Sequence, residues 1–134
     1  MDIGRVSGVF ASPAQAADAA ALAAGAIAIG PAWTAIDQPQ ARVIMRTFLA
    51  ADLAYNARCM SDAEAAGFAD EVMSLVPAPT HFLTSIGMDE WLGLRDGVAI
   101  KAHTFTSVTM ATFSAAVAVA GKDQAAVLVI SDED

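Results

Sequence analysis

The residues best suited to acid–base, nucleophilic or metal chemistry are two histidines, His81 and His103, and a single cysteine, Cys59. Imidazole changes charge near neutral pH and can serve as base, acid or ligand. His81 lies in Pro79-Thr80-His81-Phe82, just past a proline-marked helix stop, which suggests the rim of a fold. His103 lies in a segment that reads as a strand, on the same side as Ala99 and Lys101. Together with Cys59 or Asp89 the pair would offer a zinc-type donor set, but the spacing matches no recognised ligand pattern. No metal and no cofactor are therefore expected, and the two histidines are expected to make ordinary hydrogen bonds. Cys59 would become a nucleophile if a histidine approached and lowered its pKa. It falls on the apolar stripe of a helix, however, where a free cysteine packs as a small hydrophobe.

Asp89-Glu90, followed by Trp91, is the most enzyme-like cluster. A carboxylate beside an aromatic ring can be held protonated and act as a general acid. Adjacent carboxylates also serve simply to open a helix, where its dipole favours negative charge. Trp91 reads either as a core residue or as an interface anchor, since tryptophan is enriched among binding hot spots. An enzyme or ligand-binding domain would draw on His81, His103, Asp89 and Glu90. Against that reading, the chain has no glycine-rich phosphate loop, no GxSxG elbow, no HExxH pair and no CxxC.

Charge is segregated. No lysine or arginine occurs between Arg58 and Arg95, while Asp62, Glu64, Asp70, Glu71, Asp89 and Glu90 all fall there. Arg42 and Arg46, one helical turn apart, form the only close basic pair and invite an anionic partner. They could meet the acidic stretch of the same chain or of a second copy, which makes Arg42, Arg46, Asp70, Glu71 and Trp91 the interface candidates. The formal charge of −8 argues against binding nucleic-acid phosphates or anionic membrane surfaces.

At 134 residues the chain is expected to form one domain, long enough for a core without staples. It is 56% hydrophobic and only 16% charged, more apolar than a typical soluble domain. Alanine softens that excess, because it buries little area and favours helix. The uncharged stretches 19–36 and 102–121 are interrupted by Gly30-Pro31 or by hydroxyl residues and His103, so a membrane span is not expected.

Several elements carry local signatures. Residues 3–10 read as a short strand or extended arm. Ser12-Pro13 with Gln15 opens a helix expected to run to about Ile29 and to stop at Gly30-Pro31. Its apolar identity is not confined to one face, and its alanines allow close packing against a neighbour. Asp37 caps a second helix over 40–60, with Ile44, Phe48, Ala51, Tyr55 and Cys59 on one stripe. Ser61 and Glu64 form a capping box for a third helix ending near Val76, which buries Ala65, Phe68, Ala69, Val72 and Val76. Pro77-Ala78-Pro79 stops it. A short helix is expected around 88–94 and a strand over 98–106. The stretch 107–120 reads as strand or helix, with strand favoured. Residues 121–123 read as a hairpin turn into a strand over 125–130.

The pattern predicts an α+β domain with three N-terminal helices packed on a small C-terminal antiparallel sheet. The functional expectation is a non-catalytic interaction protein. A self-associating assembly or structural subunit, such as a phage or other particle component, fits best. Its partner would be itself or another protein, a homo-oligomer is expected, and it would sit in the cytoplasm or within a soluble particle. An acidic inhibitor docking on a basic target is a further reading.

Overall fold

A computed structural model describes residues 1–50, 60–86, 108 and 113–132. In chain order the elements are β1 (Asp2–Ser7), α1 (Pro13–Ala23), a 3₁₀ turn (Gly30–Ala32), β2 (Thr34–Ile36), α2 (Gln38–Ala50), α3 (Asp62–Ser74), β3 (His81–Thr84), β4 (Phe113–Ala120) and β5 (Gln124–Asp132). The five strands form one antiparallel sheet in the order β1-β5-β4-β3-β2.

The α+β class is as expected, but the division into helices first and sheet afterwards is not. β1 begins the described chain and pairs with β5, and β2 lies between the first two helices. The physical reason is layering. The sheet is covered on both faces, and the helices of the N-terminal half are divided between them, α1 on one and α2 with α3 on the other.

One face meets α2 and α3. Ala115, Val117 and Val119 of β4 join Ala126, Leu128 and Ile130 of β5 in a core with Ile44, Met45, Ala69 and Val72. The other face meets α1. There Ala116, Ala118 and Ala120, with Ala125, Val127 and Val129, pack against Ala16, Ala17, Ala20 and Ala21, with Trp33 at the side. Successive strand residues point to opposite faces, so a strand buried on both sides reads as an unbroken apolar run instead of an alternating one. That is the origin of the mixed signal over 107–120, where β4, Phe113–Ala120, is strand. The hairpin at 121–123 is present, with Ala120 opposite Ala125.

The three helix starts follow their sequence signals. Ser12 accepts from the Gln15 N–H at 3.1 Å. Asp37 and Gln40 cap reciprocally, the Asp37 carboxylate taking the Gln40 N–H and the Gln40 side chain taking the Asp37 N–H. Ser61 and Glu64 form the capping box. Ala65, Ala69, Val72 and Val76 are buried and Phe68 is partly buried against the same core, while Asp62, Asp70 and Glu71 face solvent. In α2, Ile44 is buried and Phe48 packs on the core, whereas Ala51, Tyr55 and Cys59 lie outside the described residues, as does the expected end of that helix.

α1 ends at Ala23 and not near Ile29. Gly25 takes the left-handed conformation at φ +81°, the Ala26 N–H reaches back to the Ala21 carbonyl, and the Gly25 N–H to that of Leu22. This paired closure needs a residue without a Cβ penalty, and Gly25 supplies it inside the alanine run. The segment that follows is tied back by Asp18 on α1. Its carboxylate accepts from the Ile29 N–H at 2.9 Å, the Gly30 N–H at 3.2 Å and the Trp33 indole N–H at 2.8 Å.

Candidate functional site

Around His81, three elements meet. His81 is the first residue of β3 and is exposed, opposite Ala120 of β4. The register is fixed by the Thr80 N–H, which donates to the Ala120 carbonyl at 2.9 Å. The hairpin turn that follows Ala120 carries Lys122. That turn is closed by the Gly121 N–H donating to the Gln124 carbonyl at 2.9 Å. It is also tied to the chain just after β1, because the Gly8 N–H donates to the Asp123 carbonyl at 2.8 Å. The approach to α1 completes the enclosure. Phe10, Ser12 and Pro13 face Thr80, His81 and Lys122 across a cleft of about 240 Å3.

The cleft's polar groups are specific. The Thr80 hydroxyl lies 3.0 Å from His81 Nδ1 and 3.5 Å from the Ala120 carbonyl, leaving Nε2 for the cleft or solvent. The Ser12 hydroxyl is engaged in capping α1. Among the described lining residues there are two basic side chains, His81 and Lys122, and no acidic one.

Of the residues singled out from sequence, His81 is at a rim, as its place after the proline stop suggested. His103, Asp89, Glu90, Trp91 and Cys59 lie outside the described residues. Arg42 on α2 pairs with Asp70 on α3 of the same chain, with both side chains about half exposed. Arg46 is half-buried on α2 and Glu71 exposed on α3. Among the described residues no three His, Cys, Asp or Glu side chains gather as metal ligands would. No helix among them is long and apolar enough to cross a membrane.

Lys122, Phe10 and Thr80 were not legible as site residues. Lys122 reads as turn chemistry and Phe10 as the end of a strand, and only the pairing of His81 with Ala120 brings the turn beside the histidine. Comparison with known proteins found no protein family, no curated protein and no solved structure that matches this chain.

Proposed function

We propose that this chain is a non-catalytic interaction protein that self-associates, serving as an assembly or structural subunit. The observation that carries the reading is β1. It ends the sheet among the described residues, pairing with β5 on one side only, and an unpaired strand edge is a template for another strand. Ile3 on this strand is 43% exposed and Val9, just beyond it, 89% exposed.

Much of the apolar excess of the composition fills a sheet covered on both faces, so it adds little support for an exposed contact surface. Charge supports the edge. The only charged residues on β1 are Asp2 and Arg5, of opposite sign, so the strand itself adds no net charge to such a contact. A two-fold axis beside β1 would continue the sheet from one copy into the next as a closed pair.

Light scattering without detergent, at low and at high salt, tests the reading. A defined oligomer in both conditions supports it. A mass of 13.7 kDa in both overturns it. A second reading, a small ligand-binding domain, is favoured by one observation, the placement of His81 and Lys122 on a shared cleft.

A further inference from the structure

We propose that the cleft between the chain entering α1 and the β4–β5 turn binds a small phosphate monoester carried on an apolar or planar body. The inference rests on the cleft itself and stands apart from self-association.

The chain as a whole repels anions, with 15 acidic residues against 7 lysines and arginines. In the cleft this balance reverses, because His81 and Lys122 line it and no acidic residue does among those described. The two basic groups come from different elements, the start of β3 and the tip of the hairpin. Strand pairing, not sequence adjacency, brings them together. Asp123, next along the turn, is not among the lining residues, and its carbonyl is taken by the Gly8 N–H.

The donors indicate the class of anion. An ammonium acts as a compact point charge, whereas planar carboxylates are matched best by the fork of an arginine. A lysine and an imidazole lining the same cleft suit the several oxygens of a tetrahedral phosphate. The Thr80 hydroxyl lies 3.0 Å from His81 Nδ1, so Nε2 is the ring nitrogen left to meet a ligand. Phe10, Pro13 and Ala16 form an apolar wall beside these donors, which an aromatic or short apolar substituent on the phosphate would cover. At about 240 Å3 the cleft has room for one such group.

Calorimetric titration of the full chain with inorganic phosphate and with phenyl phosphate tests the assignment. Saturable binding is expected for both, several-fold tighter for phenyl phosphate. Lys122→Glu is expected to weaken phenyl phosphate by at least about tenfold, since a charge-assisted contact becomes a repulsion. Lys122→Arg is expected to retain binding, and His81→Ala to weaken it. Lys122 lies in an exposed turn, and circular dichroism of each variant checks that the fold persists. No saturable heat with either probe would overturn the site. Equal affinity of Lys122→Glu and the unaltered chain would overturn the role of the cleft. Phenyl phosphate binding no tighter than inorganic phosphate would overturn the ligand class. Solution mass is read separately, so this proposal and self-association can fail independently.

Discussion

Gly4 of β1 and Ala20 of α1 touch so closely that a Cβ on Gly4 would lie 2.0 Å from the Ala20 carbonyl oxygen, with the Ala24 N at 2.7 Å. Both obstructing atoms are backbone, so no side-chain rotation relieves the clash. Gly4→Ala should force β1 and α1 apart and cost about 1–3 kcal/mol or more, in the range of overpacked cores. Urea unfolding of the variant measures this. A midpoint unchanged from that of the parent would show that the helix does not lie on this strand.

Asp18 gathers three N–H groups from the segment after α1, one of them the Trp33 indole. Replacing it with alanine leaves these partly buried donors without their acceptor, and hydrogen bonds to a charged group contribute about 1.5–3 kcal/mol. Asp18→Ala should therefore destabilise by about that amount, and the Trp33 environment should change. Tryptophan fluorescence read during denaturation reports both. Asp18→Asn, which keeps one acceptor oxygen, should fall between the two.

The Arg42–Asp70 pair joins α2 to α3 at the surface. Solvent screening limits half-exposed pairs of this kind to about 0–1 kcal/mol. A double-mutant cycle with Arg42→Ala and Asp70→Ala should return a coupling in that range, shrinking as salt is added. If these residues instead joined two copies, either substitution would lower the solution mass, and the cycle would be concentration-dependent.

Ile3 sits on β1, which ends the sheet among the described residues. A lysine there is a common guard against strand addition. Ile3→Lys should reduce any oligomer to a monomer while leaving the circular dichroism spectrum unchanged, because the side chain is already partly in solvent. Light scattering at matched concentrations checks it. An oligomer that survives the substitution would place self-association elsewhere on the molecule.

What could be read from sequence was local. Ser12, Asp37 and the Ser61–Glu64 pair announce helix starts because a cap needs only residues three apart, and the structure has all three. The turn at 121–123 was legible for the same reason. The end of α1 was not, since Gly25 stands in an alanine run that would continue a helix on either side. β2, at three residues, and β3, at four, are too short to establish a period. The pairing of β1 with β5 depends on tertiary structure alone. The cleft was half legible: His81 stood out by its chemistry, but Lys122 and Phe10 acquire a role only once the register of β3 on β4 is known.

The neighbour of β1 is β5, so Asp2 must find Val129 across almost the whole sequence. β1 and the alanine face of α1 precede β5 by more than a hundred residues, and their packing is complete only when the two strands have met. Helix-to-helix contacts such as α2 with α3 can form early, but the sheet beneath α1 has no floor before that moment. Pairings of such long range slow folding, because loop closure must precede the contacts that reward it. On refolding from denaturant the β1–β5 ladder should therefore close after the α2–α3 contact, leaving β1 the last strand to gain protection from amide exchange.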